Sequence, residues 1–467
     1  MNSITELLDL EDSDIRISDI SINGTQKILT LETLPTIHYC PLCKFRMHSR
    51  GIKIRTINHP VLQDGFEMIL KLKQRRWRCT NPQCGYEMNE SFRFGNKNRR
   101  NTNATDMRIV NAFRDLSVSA SSIASKFNVS DTYVLDVFDR YVKLDRLPLS
   151  DIISVDEVHV ELDEYCKYAL VIQDFHTGDP IDLLRSRRVN VTEPYFVSIP
   201  REERNAVKYL ITDMYNPYIR FVEKYFPNAV PVVDSFHVIQ WVIHSIDRYI
   251  RQLIKRFKQR DRELYETRWH PEKMPATIPA SREVYLLQKY RWLILANRSN
   301  IHYYTDLRMD KHLHCLMNTY DYESALFQID PNLKELRDLK EMYICFNQRN
   351  EGKPMDARIE LDELIDYYLH CSNPIFIDFA ELLIRHHDYI INSFVMVEKH
   401  GPGKIYSSRL SNGPIESLNR KAKDLKRLGR GFRNFEHFRN RFLYAARNNP
   451  VLNGVSDYNP VLYHLDD

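Results

Sequence analysis

Residues 411–442 read SNGPIESLNRKAKDLKRLGRGFRNFEHFRNRF, and the rest of the chain can be interpreted outward from this segment. Asn412 is a potential helix cap, and Pro414 follows where its missing N–H costs nothing, so a helix is predicted to begin here. Glu416 lies in the first turn. Helical spacing then places four residues on roughly its face, namely Asn419, Arg420, Lys423 and Arg427. A carboxylate beside a row of cations suits metal-assisted chemistry on a polyanion, whereas a solvated basic helix is the alternative that this segment leaves open.

The composition indicates a globular protein of several domains. The chain has 467 residues, of which 27% are charged and 43% hydrophobic, and the formal net charge is +4. That length corresponds to about three domains, and so small a net charge identifies no partner by itself. No run approaches the roughly 20 apolar residues of a membrane span, and the start MNSITELLDLEDSD lacks the features of a signal peptide. A cytoplasmic protein without a membrane segment is expected.

The first ninety residues predict a small β module with a zinc site. Two alternating runs flank Asn23-Gly24, a strong hairpin signal. Two cysteine pairs follow, separated by strand-like sequence, and their thiolates could bind Zn²⁺ tetrahedrally: Cys40 and Cys43, then Cys79 and Cys84. His38 and His48 are substitute ligands of lower rank, and four unrelated buried thiols are the alternative. The other four cysteines are scattered among apolar neighbours, and disulfides are not expected in the cytoplasm.

A basic linker, residues 95–105, leads to a helix-turn-helix pattern. The stretch SASSIASKFNVSDTYVLDVFDRYV combines an apolar helical stripe, a turn at Asn128-Val129 and a second helix beginning at Ser130. A purely structural helical hairpin shares this signal. Next to a zinc module and a basic linker, the pattern predicts a DNA-binding helix with Ser130, Thr132 and Tyr133 near the bases.

An α/β pattern begins near residue 150. It predicts three strands joined by tight turns and then two strands alternating with helices, an order that resembles the RNase H-like fold. Asp156 lies in the first strand, Asp213 ends the fourth and Asp234 ends the fifth. Long helical segments then occupy the chain to about residue 400. The predicted divisions are 1–94 (β module), 95–147 (helix-turn-helix), 148–240 (catalytic core), 241–400 (all-α insertion) and 401–467 (rest of the core with the basic helix).

The aspartates at the strand ends predict a site for divalent cations. Carboxylates that converge at one edge of a sheet repel one another unless cations or partners relieve the repulsion, and oxygen ligands favour Mg²⁺ or Mn²⁺. Two such ions suit phosphodiester chemistry. Ion pairing of Asp156, or helix capping by Asp213 or Asp234, is the structural alternative for each residue taken alone.

Taken together, these motifs resemble the ISL3 family of bacterial insertion-sequence transposases over residues 38–448. The resemblance rests on CPLC with CTNPQC, SVDEVHV, LITDMYNPY, VVDSFHVIQ and SNGPIESLNRKAKDLKRL in the family's order. It implies an RNase H-like domain whose DDE triad is interrupted by a helical insertion before the glutamate. Asp156 is then the first acid and Glu416 the third. Asp213 is preferred as the second, with Asp234 the alternative and His237 part of an adjacent signature.

The resemblance also implies a function. Metal-dependent cleavage at the ends of the element and strand transfer into target DNA are expected, carried out by at least a dimer on DNA. The zinc and helix-turn-helix modules would bind terminal inverted repeats. Five cations would hold phosphates near the metal ions: Arg420, Lys423, Arg427, Arg430 and Arg433. A non-catalytic DNA-binding regulator and a nuclease without strand transfer are the rival functions.

Overall fold

The computed structural model describes residues 8, 10, 12, 14–59, 67–94, 100–214, 216–268, 278–401, 403–429, 432 and 434–452. The fold is mixed α/β and multidomain, as predicted, with several separate sheets and hydrophobic cores. Within the described ranges, no helix is both long and apolar enough to cross a membrane.

The N-terminal sheet has five strands. They are β1 (Ile15–Asn23), β2 (Gln26–Thr33), β3 (Met47–His59), β4 (Glu67–Cys79) and β5 (Glu87–Asn89). β4 runs parallel to β2 and antiparallel to β3, while β1 extends the sheet beyond β2. Alternate residues such as Leu29 and Leu70 share one face, which packs on Phe92 and Phe94. One face of the sheet is therefore covered, and the other carries mainly polar side chains.

Three helices follow: α1 (Asn103–Ala112), α2 (Ala120–Phe127) and α3 (Asp131–Tyr141). The Ser119 and Ser130 hydroxyls cap α2 and α3 by accepting backbone N–H groups. Asn128 ends α2 with φ of 51°, a left-handed conformation that asparagine tolerates well. The predicted turn thus separates two capped helices.

A central sheet has strand order β10-β9-β6-β7-β8. Its strands are β6 (Ile152–His159), β7 (Tyr168–Asp174), β8 (Pro180–Leu184), β9 (Tyr209–Thr212) and β10 (Val230–Val233). The first three are antiparallel, whereas β9 runs parallel to β6 and β10 parallel to β9. Three helices connect the last strands: α4 (Val189–Ser198), α5 (Arg201–Ala206) and α6 (Asn216–Tyr225). Both faces are covered, which explains the continuous apolar runs of these strands.

The insertion after the sheet is mainly helical. Its helices are α7 (Ser235–Arg268), α8 (Arg282–Tyr290), α9 (Trp292–Leu295), α10 (Thr319–Ile329), α11 (Asn332–Arg349), α12 (Pro354–His370), α13 (Pro374–Arg385) and α14 (His387–Asn392). The expectation of an all-α insertion is wrong, because a hairpin of β11 (Arg308–Asp310) and β12 (Cys315–Met317) lies within it. Buried Asp310 anchors this hairpin by accepting hydrogen bonds from the hydroxyls of Tyr285, Tyr290 and Tyr322.

The C-terminal part returns to the central sheet. It consists of β13 (Met396–Gly401), β14 (Lys404–Arg409), α15 (Gly413–Leu428) and α16 (Phe435–Ala446). Apolar residues of α15 recur at intervals of three and four, from Ile415 to Leu425, and pack on β6 and β7. The same core includes Phe113 and Phe138 of the three-helix module. The helix-turn-helix and the basic helix are therefore parts of one packed unit.

Arg441 on α16 ties this unit together. Its side chain is buried, it donates to the carbonyl oxygens of Phe113, Asp115 and Val118, and its guanidinium lies 4.7 Å from the centre of the Phe113 ring. Burial lowers the pKa of Arg441 to about 10, so it remains charged at neutral pH. The three carbonyls lie after α1, where no helix satisfies them.

Arg441→Ala is expected to lower the free energy of unfolding by about 3 kcal/mol, because it leaves buried carbonyls without donors. Urea denaturation followed by tryptophan fluorescence measures the change. Arg427→Ala is the matched control, since Arg427 is exposed and, in the described part of the chain, pairs only with Asp424. Equal unfolding midpoints for the two variants would contradict this role for Arg441.

Candidate active site and metal centre

Three aspartates lie at one edge of the central sheet. The register pairs Ser154 of β6 with Ile211 of β9, and Thr212 of β9 with Val233 of β10. Continued to the strand ends, the same register sets Asp156 beside Asp213 and Asp213 beside Asp234. Residues side by side on neighbouring strands share a face of the sheet. By this register the three residues follow one another in a row across this edge, and the Asp213 charge is close enough to act on Asp156.

Two asparagines attach the Glu416 end of α15 to this row. The Asn419 Nδ2 donates to Asp156 Oδ2 at 2.7 Å, and the Asn412 N–H donates to Asp234 Oδ2 at 2.8 Å. Glu416 lies on the helix between these two attachment points and is half-buried. Side chains three positions apart on a helix are neighbours at about 5–6 Å between Cβ atoms, so Glu416 is one turn from the residue that contacts Asp156.

Asp156 sits in an environment that opposes its ionisation. Burial raises the pKa of its carboxyl to about 6, and the Asp213 carboxylate acts in the same direction. The Glu157 N–H, which donates to Asp156 Oδ1 at 2.7 Å, and the nearby His237 oppose this rise. A positive ion in the same place would favour the charged carboxylates.

Asp234 is largely engaged in holding the fold. The residue is 4% exposed. One of its carboxylate oxygens accepts the Asn412 N–H. The other accepts the Phe236 N–H at 3.0 Å and so caps α7. Asn412 is the N-cap residue of α15, as predicted, but its side chain makes no capping hydrogen bond. Asp234 instead fixes where α15 begins.

Glu157, next to Asp156, points away from the row. Alternation along β6 places it on the other side, where it pairs with Arg187 and accepts the Tyr218 hydroxyl at 3.1 Å. The sequence gives no sign of this ion pair. It does place Asn419 on the face of Glu416 without assigning it a role, and the spacing of three residues between the two is the signal that could have identified Asn419.

Several buried polar atoms around the row have no hydrogen-bond partner among the described residues. They are His237 Nε2, Asn419 Oδ1 and both side-chain atoms of Asn412. Buried polar groups in folded proteins are nearly always satisfied. Their grouping at one edge of the sheet is typical of a site that acquires further ligands, such as water, metal ions or substrate.

The predicted cations of α15 face outward. Arg420, Lys423 and Arg427 are exposed, whereas Arg430 and Arg433 lie outside the described residues. Those that are described form a basic surface that continues from the carboxylate row along the helix.

The predicted base-reading residues of α3 differ in their surroundings. Thr132 is exposed. The Ser130 hydroxyl caps the helix by accepting the Tyr133 N–H, and the Tyr133 hydroxyl donates to the buried Asp106 carboxylate. Ser130 and Tyr133 thus hold the module together, and a contact of any of the three residues with DNA stays a prediction.

The four cysteines of the N-terminal module converge. The Sγ atoms of Cys40, Cys43, Cys79 and Cys84 all lie within 4.8 Å of one another. The Cys40–Cys84 and Cys43–Cys79 Sγ separations are 3.7 and 3.3 Å, close to the roughly 3.8 Å edge of a tetrahedron with Zn–S bonds of about 2.3 Å. The Phe45 backbone N–H lowers the pKa of the Cys43 thiol to about 7. The cluster could hold zinc.

Comparison with known proteins relates the central part of the chain to a family of transposases. A family model described as transposase, that of the ISL3 group of DDE transposases, matches residues 153–442. The chain is also similar to the transposase for insertion sequence element IS1557 from two strains of Mycobacterium tuberculosis. Each is 24% identical over 300 residues, which cover 63% of this chain and 58% of the relative. The match thus spans less than two thirds of these relatives.

The stability of the protein is expected to depend on pH through Asp156. The folded protein holds this proton up to a pH near 6, whereas the unfolded chain releases it near pH 4. Without divalent cations, the free energy of unfolding therefore falls as the pH rises from about 4 to about 6, and this contribution stays level above that. Asp156→Asn removes the effect and should stabilise the protein at pH 7.5 by about 3 kcal/mol. Urea denaturation at several pH values measures both, and a less stable Asn variant at pH 7.5 would contradict the argument.

Zinc removal is expected to destabilise the N-terminal module selectively. A thiolate-bound structural ion contributes directly to folding, so chelation should expose the β3–β4 region to protease while the central sheet stays protected. Cys79→Ser should reduce bound zinc, measured by atomic absorption, from one ion per chain to none. Cys345→Ser, at an exposed cysteine outside the cluster, is the control. An unchanged protease pattern after chelation would refute a structural zinc site.

Proposed function

The chain belongs to the ISL3 family of insertion-sequence transposases, and on this premise we propose that it cleaves DNA at the ends of a mobile element and joins them to target DNA. One observation supports the proposal: Asn419, one turn after Glu416 on α15, donates to Asp156, whose ionisation the Asp213 carboxylate opposes. The β10-β9-β6-β7-β8 order, with its antiparallel first three strands, supports an RNase H-like core.

The proposed catalytic acids are Asp156, Asp213 and Glu416. Asp234 is a positioning residue, because both of its oxygens accept backbone N–H groups and it is nearly inaccessible. Mg²⁺ or Mn²⁺ ions held by the three acids would activate the attacking water or 3′-hydroxyl and stabilise the leaving oxygen. The oxygen-only ligand set, the raised pKa of Asp156 and the buried unpartnered polar atoms fit such ions.

The chain's own residues would orient the substrate. Asn419 holds the Asp156 carboxylate in one orientation through its 2.7 Å hydrogen bond. Arg420, Lys423 and Arg427 extend from the acids along α15 and would hold the phosphates on either side of the scissile bond. Positioning and charge stabilisation account for most of the rate of phosphoryl transfer.

The N-terminal modules would select the DNA. The four-cysteine cluster, with a structural zinc ion, and the helix-turn-helix would bind terminal inverted repeats, and α3 would enter the major groove. Because α1–α3 share a core with α15 and α16, DNA bound there would be held at a fixed orientation to the acids. We propose a dimer or larger assembly on DNA, acting in the bacterial cytoplasm. A non-catalytic regulator is not favoured, because it gives no reason for the row of acids.

Substitution of the acids tests the assignment. In a cleavage assay with duplex DNA from the element's ends and Mg²⁺ or Mn²⁺, Asp213→Asn should reduce the rate by about 10³-fold, the equivalent of about 4 kcal/mol. Asp156→Asn and Glu416→Gln should do the same, while DNA binding persists.

Asp234→Asn is the matched comparison. The amide oxygen still accepts one backbone N–H, so cleavage should be weakened but retained, with a lower unfolding midpoint. Metal-dependent cleavage that survives in Asp213→Ala would overturn Asp213 as the second acid. Inactivity of the unsubstituted protein on every DNA end, with normal DNA binding, would favour a regulator.

A further inference from the structure

The N-terminal sheet has a face that nothing in the described part of the chain covers. Its opposite face packs on Phe92 and Phe94, but the other face, made by β3 and β4, is open. We define the open face by five residues: Lys71, Lys73 and Arg75 of β4, with Ile52 and Ile54 of β3.

The register places these side chains together. Residues 71, 73 and 75 alternate with the buried Leu70 and Leu72 and therefore lie on the face away from the core. The rise of about 3.3 Å per residue separates successive cations by about 7 Å. Ile52 is paired with Arg75 and Ile54 with Lys73, so the isoleucines flank the cationic row.

The row carries charge that the sheet does not neutralise. Among the described residues, no carboxylate pairs with the side chains of Lys71 or Arg75. Lys73 lies 3.5 Å from Glu32, but Glu32 also pairs with Arg16 at 2.6 Å. The three cations thus outnumber the carboxylates Glu32 and Glu67 that lie on the same face of β2 and β4, and a polyanion is the complementary partner.

Two exposed isoleucines lie on this face beside the cations. Ile52 is 59% exposed and Ile54 62% exposed, although both lie on an edge strand where exposed apolar side chains invite aggregation. Apolar side chains beside a row of cations offer a surface for the sugars of a nucleic-acid backbone, whose charged phosphates alternate with sugars.

We propose that this open face binds the phosphodiester backbone of duplex DNA. The inference rests on the proposed function, because it takes DNA as the substrate, and it assigns to the β module a contact separate from α3 and α15. The three cations would each contact a phosphate, and the isoleucines, beside Arg75 and Lys73 on the neighbouring strand, would lie against adjacent sugars. Such contacts position a duplex without reading its sequence. A second copy of the chain is a poor occupant, because two such faces would repel each other.

The salt dependence of DNA binding tests the proposal. Removing one phosphate contact lowers the slope of log Kobs against log salt concentration by about 0.9, so the triple variant Lys71→Gln, Lys73→Gln, Arg75→Gln should lower it by about 2.7. The measurement uses fluorescence anisotropy of the full chain, loaded with zinc, on a duplex of mixed sequence and about 40 base pairs, a length of about four helical turns. Lys71→Arg with Lys73→Arg keeps the charges and should keep the slope.

A matched control removes the same charge elsewhere. Lys311, Lys334 and Lys353 are exposed residues of the insertion, and their replacement by Gln should leave the slope unchanged. An equal fall in both triple variants would overturn the proposal, because general charge rather than this face would then set the affinity.

The remaining outcomes are also distinguishable. An unchanged slope in the open-face variant, with wild-type binding intact, contradicts this inference alone, whereas a wild-type chain that binds no duplex contradicts the proposed function as well. Sedimentation without DNA completes the test: a smaller oligomer in the open-face variant would assign the face to self-association and overturn the proposal. An unchanged thermal midpoint shows that the variant is folded.

Discussion

The hydrogen bond from Asn419 to Asp156 joins residues 263 positions apart in the sequence, and the candidate active site depends on it. A glutamate on a separate helix can bind a metal ion together with acids of a sheet only if the helix has a fixed position and rotation relative to that sheet. The Asn412–Asp234 hydrogen bond fixes the beginning of α15, and Asn419 fixes the next turns. The apolar stripe from Ile415 to Leu425 supplies the packing that keeps the helix on β6 and β7.

The insertion is connected to this arrangement through a polar network. Arg409, at the end of β14, donates to the Ser393 carbonyl at 2.7 Å and to Asn347 Oδ1 at 3.2 Å, and its guanidinium lies 3.7 Å from the centre of the Phe394 ring. Shortly after it in the chain, Asn412 is bound by Asp234. Buried hydrogen bonds therefore fix the position at which the chain leaves the insertion. This explains how Asn412 can contact Asp234 at a fixed position although the two residues are 178 positions apart.

Positive and negative side chains lie in separate regions of this protein. The net charge of +4 is small for a protein proposed to bind DNA, yet cations cluster on α15 and on the open face of the β module. Carboxylates gather at one edge of the central sheet, where burial raises the pKa of Asp156 and the Asp213 carboxylate acts in the same direction. Such a separation suits a protein that must attract phosphates over a wide surface and hold metal ions at one point.

The sequence by itself determined the mixed α/β multidomain character, the helix-turn-helix pattern and the family, because strand alternation, capping residues and motif order are local properties. It also predicted correctly that the four cysteines form a cluster, because two close cysteine pairs separated by strands are typical of a metal site. It did not reveal the hairpin at Asp310, which long-range tyrosine hydroxyls stabilise. It could not show that Asp234 is occupied by two backbone N–H groups or that Asn419 reaches Asp156. Those facts depend on how β10, α7 and α15 pack, and only the tertiary structure decided them.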